Sequence, residues 1–136
     1  MSLYLLDTNM ASHIMRGDMP LIRQRLKQVS ETDHLVLSVI SQAELYYGLA
    51  RRGYPKALQK LVEMFLEGVE ILPWTSLEAQ NFGDVRALSE SKGINLSTAD
   101  MMIAAHAKSV DAVLVSRDKA FSHLMPHIRL ENWSQV

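Results

Sequence analysis

The 136-residue sequence contains no cysteine. Disulfides, thiolate metal ligands and a cysteine nucleophile are therefore excluded together, and the chain is expected in a reducing compartment, the cytoplasm. It also lacks a surplus of positive charge. Fourteen Lys and Arg stand against 15 Asp and Glu, a formal net charge of -1. Nucleic-acid binders usually carry a basic excess, so any such contact must come from local patches or from cations that cancel acidic groups. No apolar run approaches the ~20 residues of a membrane-spanning helix. Met1-Ser2-Leu3-Tyr4-Leu5-Leu6 has no basic region and meets Asp7 at once, so it is not expected to act as a signal peptide. There is no low-complexity tract, no linker rich in Pro and Ser, and no repeat. The histidines, His13, His34, His106, His123 and His127, show no zinc spacing such as HExxH.

What is present is 48% hydrophobic residues, enough for a core and too many for general disorder. The length fits one domain, 1–136. Leu3 to Leu6 is too short for a helix and reads as a buried strand. Further strands are expected at Leu35–Val39, Val69–Leu72, Ala112–Val115 and Ile128–Leu130. Helices are expected at Leu21–Val29, Ser41–Arg52, from Pro55 onward, at Leu77–Ser91 and at Thr98–Ser109. The helix after Pro55 shows an i, i+3, i+4, i+7, i+8 stripe of Leu58, Leu61, Val62, Phe65 and Leu66. Gly93 marks the end of the helix before it. Strands alternating with helices imply an α/β fold, a central parallel sheet flanked by helices. Sites in such sheets form beyond the carboxyl ends of the strands, where strand order reverses.

That rule draws attention to four acids. Asp7 directly follows the first strand, and Asp118 lies shortly beyond the fourth. Glu44 and Asp100 sit early in helices that follow strands. Each has an ordinary structural explanation. Ser41-Gln42-Ala43-Glu44 fits a capping box. Ser97-Thr98-Ala99-Asp100 fits a similar cap, Asp7-Thr8-Asn9 a turn or cap, and Asp118 a loop acid. Together they suggest more. Carboxylates crowded on one rim repel, and a divalent cation removes the repulsion. An all-oxygen donor set suits Mg²⁺ or Mn²⁺. The chemistry such a site most often serves is phosphoryl transfer, with water activated by metal and no side-chain nucleophile.

Four segments resemble the PIN-domain nucleases, and within them the VapC-type toxins of bacterial toxin–antitoxin pairs. They are Leu5-Leu6-Asp7-Thr8-Asn9, then Ser38-Val39-Ile40-Ser41-Gln42-Ala43-Glu44-Leu45-Tyr46-Tyr47-Gly48, then Thr98-Ala99-Asp100-Met101-Met102-Ile103-Ala104-Ala105-His106-Ala107, and Leu114-Val115-Ser116-Arg117-Asp118. Their order and spacing match over nearly the whole chain. The resemblance implies a PIN-like fold and a metal-dependent endoribonuclease. It puts Asp7, Glu44 and Asp100 on three core acidic positions and Asp118 on a more variable fourth. Thr8, Asn9 and Ser116 fall on supporting polar positions. It also implies RNA as substrate, tRNA for several members, together with a homodimer and a cognate antitoxin.

Arg86 matches a frequent basic position of that family, with an ion pair to Glu90 as the alternative. Arg117 and Lys119 flank Asp118 and are candidate phosphate contacts. Tyr46 and Tyr47 are expected to pack in the core or a dimer, or else to stack a base. Trp133 is expected to anchor the tail. Three other readings compete. An aspartate-nucleophile phosphatase begins Asp-x-Asp, where this chain has Asn9. A non-catalytic PIN scaffold would not need an intact acidic set. A housekeeping RNA-processing nuclease without antitoxin differs from a toxin only in its genomic neighbour.

Overall fold

The computed structural model describes residues 2–135. Among them run five strands, β1 (Leu3–Leu6), β2 (His34–Ser38), β3 (Glu70–Leu72), β4 (Val113–Val115) and β5 (Arg129–Glu131). Six α-helices connect them: α1 (Thr8–Arg16), α2 (Pro20–Lys27), α3 (Val39–Arg51), α4 (Lys56–Glu67), α5 (Ser76–Ser91) and α6 (Thr98–Ser109), with a short 3-10 helix at Lys119–Leu124. No helix among the described residues is long and apolar enough to cross a membrane.

The strands are continuous apolar runs because both sheet faces are covered. Successive side chains point to opposite faces. Leu5, Val36 and Leu114 pack with Met101, Ile103, Ala104, Phe121 and Leu124, while Tyr4, Leu6, Leu37, Val113 and Val115 pack with Met10, Ala11, Ile22, Leu45, Leu49 and Val62. One face is thus closed by α5, α6 and the 3-10 helix, the other by α1 to α4. All neighbouring strands are parallel, in the order β3-β2-β1-β4-β5. The chain leaves β1 toward β2 and β3 on one side and returns to β4 and β5 on the other. The reversal between β1 and β4 opens the crevice that positions the site.

Several local expectations need correction. Asp7-Thr8-Asn9 is a cap followed by the first turn of α1, a helix not read from the sequence. Thr, Asn, Ser and His are weak helix formers. Tertiary burial of Met10 and Ala11 and the Asp7 cap hold the segment instead. β2 ends at Ser38 and α3 begins at Val39, because Ser38 supplies the cap, its Oγ accepting from Ile40 N at 3.1 Å. From the sequence, β-branched Val39 is expected to be the last residue of the strand Leu35–Val39. Ser41 therefore lies inside the helix and forms no capping box with Glu44. Among the described residues the reciprocal box is Thr75–Glu78 at the start of α5, where Thr75 N and Oγ1 donate to Glu78 Oε1 at 2.8 and 2.9 Å. Gly93, at φ +64°, does take the left-handed turn that follows α5. Trp133 is buried and meets Tyr4 edge-on.

Candidate active site

Asp7 occupies the junction between β1 and α1. Its N–H donates to Val115 O on β4 at 3.0 Å, so the backbone at the switch point is pinned to both strands. Its Oδ1 accepts from Met10 N at 2.7 Å, capping α1. The carboxyl group is buried, with the residue 5% exposed. Burial is the main force that pushes it up to about 6. The Ser116 hydroxyl and the Met10 N–H pull it down, and the charges of Asp100 and Asp118 push it up further. Ser116, at the end of β4, thus serves two acids. It lies against Asp7, and its Oγ accepts from Asp118 N at 3.0 Å.

Asp118 is the cap of the 3-10 helix, with Oδ1 accepting from Ala120 N at 2.9 Å. Asp100 stands in the first turn of α6, whose cap Ser97 accepts from Asp100 N at 3.1 Å. Glu44 is fixed from α1. The Thr8 hydroxyl lies 2.5 Å from Glu44 Oε1 and 2.9 Å from Ser41 Oγ. With one proton to give at a time, it donates to the Glu44 carboxylate, with Ser41 Oγ as the alternative acceptor. The capping duties are therefore real, and they are compatible with a site. Asp118 caps through Oδ1, and its Oδ2 makes no hydrogen bond among the described residues.

Asp7, Glu44, Asp100 and Asp118 all line one cavity of about 640 Å³, together with Thr8 and Asn9. None of the four acids is in an ion pair among the described residues. A buried carboxylate beside two others, with no cationic side chain paired to any of them, lacks positive charge. The oxygen donors fit a hard divalent cation in type and charge. Among the described residues no three acids or histidines already form a coordination shell. That arrangement still suits Mg²⁺, which keeps several waters and is usually bound through one or two carboxylates plus substrate phosphate.

The basic candidates fall elsewhere. Arg86 pairs with Glu90 at 2.9 Å, both exposed, and does not line the cavity. Arg117 reaches Ser134 Oγ at 3.3 Å and His13 Nε2 at 3.1 Å. Lys119 lines a separate shallow cleft with Lys92 and His123. The cations that do line the acidic cavity are Arg51 and Arg52 at the end of α3. Sequence spacing carried one unused signal for Arg51, seven residues after Glu44 and so on the same helix face. Tyr47 also lines the cavity, and both Tyr46 and Tyr47 are exposed rather than packed in the core.

Residues 4–125 match the family described as PIN domain. The chain is 32% identical over 130 residues to Ribonuclease VapC2 of Haemophilus influenzae, covering 96% of this chain and 97% of the relative. It is 31% identical, with the same coverage, to the tRNA(fMet)-specific endonuclease VapC of Salmonella typhimurium. In three dimensions it is similar to a chain of VapBC2 from Rickettsia felis, solved bound to a DNA fragment from its promoter. There the TM-score is 0.86 and the identity 27%, over 96% of this chain and 98% of that one.

Proposed function

Since this chain belongs to the PIN-domain family, we propose that it is a Mg²⁺- or Mn²⁺-dependent endoribonuclease and the toxin of a toxin–antitoxin pair, cutting structured RNA such as tRNA. The observation that carries the chemistry is Asp7. A carboxylate held at about 6 by burial, with two further acids raising it, is an anion in need of a cation at the sheet's switch point. Asp7, Glu44, Asp100 and Asp118 would hold the metal. A divalent cation held there would supply water activation and charge neutralisation for displacement at phosphorus.

The chain's own residues set the stage for that step. Thr8 holds Glu44 in one orientation. Ser116 ties the positions of Asp7 and Asp118 together. Near neutral pH, Asp7 is mostly ionised, since its value lies near 6. In acid the metal-free carboxyl takes a proton and loses its charge, so metal binding weakens as pH drops through 6. The toxin part of the reading is supported by the names of the relatives: ribonucleases called VapC, one a tRNA(fMet)-specific endonuclease, and a VapBC complex. A homodimer and a protein antitoxin encoded next door belong to the same reading.

The test is cleavage of a tRNA transcript by purified protein with Mg²⁺, with excess chelator, and with Asp100→Asn. Cleavage only by the parent with metal is expected. Equal cleavage in chelator sinks the metal site. Expression of the parent should arrest growth, and co-expression of the neighbouring open reading frame should relieve it. Arrest without such relief points to a nuclease that has no antitoxin. Sedimentation as a monomer at micromolar concentration removes the homodimer.

A further inference from the structure

α3 contributes more to the cavity than its acid. Glu44, Tyr47, Gly48 and Arg51 stand at i, i+3, i+4 and i+7, hence on one helix face, and all four line the cavity, with Arg52 at the helix end. At 1.5 Å per residue, the step from Glu44 to Arg51 is roughly 10 Å, the scale of a neighbouring nucleotide. The cavity is therefore bipolar, with carboxylates at one end and two guanidiniums at the other. Among the described residues neither Arg51 nor Arg52 is in an ion pair. Tyr47 is 65% exposed between the two ends.

Gly48 adds an independent observation. Glycine is the poorest helix former after proline, and Gly48 lies well inside α3. A Cβ there would meet nothing within 4 Å outside its own stretch of helix, so among the described residues no packing neighbour requires the glycine. Bare helix backbone facing a cavity is what a closely approaching ligand needs. An acidic peptide would suit only the guanidinium end, and a basic one only the carboxylate end. A strand with phosphates at regular intervals and flat bases between them suits the guanidinium end directly, and the carboxylate end through the divalent cation that the proposed function places there.

We propose that Tyr47, Gly48, Arg51 and Arg52 form a nucleotide subsite next to the carboxylate cluster. It takes one nucleotide of single-stranded RNA adjoining the bond to be cut. The phosphate lies on Arg51 and Arg52, the base stacks on Tyr47, and the backbone passes over Gly48. The placement of the cut bond rests on the ribonuclease reading above; the subsite itself is a binding claim.

The experiment reads binding of a labelled, nuclease-resistant phosphorothioate oligoribonucleotide to the full chain by fluorescence anisotropy across a salt series in Mg²⁺. Arg51→Ala/Arg52→Ala should flatten the slope of log affinity against log salt by about 0.7, the value for one phosphate contact on a single strand. Tyr47→Ala should weaken binding about tenfold, the order of one lost stacking platform, while Tyr47→Phe keeps it. Gly48→Leu should weaken binding while its melting temperature holds or rises, because leucine is the better helix former. A merely structural role would move affinity and melting temperature together. Unchanged affinity and salt slope in folded variants overturn the subsite. So does a loss confined to binding of the neighbouring gene's protein product, which would assign this face to a protein partner. A parent that binds the oligonucleotide but cuts no tRNA transcript overturns the nuclease reading and leaves the subsite standing. A parent that cuts while Arg51→Ala/Arg52→Ala binds as tightly does the reverse.

Discussion

Asp7→Asn should make the metal-free protein more stable, and by an amount that depends on pH. In the parent, burial raises Asp7 from 3.8 to about 6. At about 1.4 kcal/mol for each pH unit between the two values, keeping it ionised in the folded state costs roughly 3 kcal/mol. The sign follows from linkage. The folded state holds the proton more tightly than the unfolded chain, so the stability this confers is present below about pH 4 and lost as pH rises through 6. Asparagine carries no charge and is as good a helix cap as aspartate, so its Oδ1 keeps the bond from Met10 N. Parent and variant should therefore unfold alike near pH 4. At pH 8 the variant should be more stable by about 2–3 kcal/mol, a melting shift of roughly 5–10 °C for a domain of this size. Urea denaturation in chelator at both pH values measures the difference. Equal stability at pH 8, or a difference that does not vary with pH, refutes the argument that Asp7 is a strained buried anion.

The other predictions concern the supports. Glu78→Ala removes both bonds to Thr75 from a buried position and should cost about 1–2 kcal/mol, with Mn²⁺ binding unchanged; a loss of metal affinity in the folded variant would contradict this. His106 is buried, its Nδ1 2.7 Å from Ser38 Oγ, and burial holds it below the usual imidazole value. That stability is present above pH 6.5 and lost as pH falls. In the Asp7→Asn background, where the opposing trend is gone, the unfolding free energy should drop between pH 7.5 and 5.5 and flatten in His106→Leu; an unchanged slope would count against it. Arg86→Ala breaks only an exposed pair, so stability should move by less than about 0.5 kcal/mol and RNA affinity within twofold. A larger loss of affinity would return Arg86 to the binding surface.

The sheet was legible because its strands are buried on both faces and read as continuous apolar runs between turn signals. The positions of Asp7 and Asp118 followed from that, since a residue just past a parallel strand must lie on the sheet's carboxyl edge. α6 was read to the residue, because Ser97 is a cap that precedes a run of good helix formers. α1 was not, because its residues favour helix weakly and burial decides. The Ser41 capping box was misplaced for a related reason. Ser41 carries the same short pattern as Thr75, and only the strand end at Ser38 shows that Ser38, not Ser41, is the cap. The basic lining was not legible from the residues beside Asp118, because the cavity runs along α3. Helix geometry, not proximity in sequence, brings Arg51 to it.

If the four carboxylates form a divalent cation site, calorimetric titration of Mn²⁺ into the metal-free protein at pH 7.5 should detect it. Saturable binding is expected, strongly weakened in Asp7→Asn, Glu44→Gln and Asp100→Asn, and weakened in the parent below pH 6 as Asp7 takes up its proton. Binding of equal strength in the parent and in all three folded variants would contradict it.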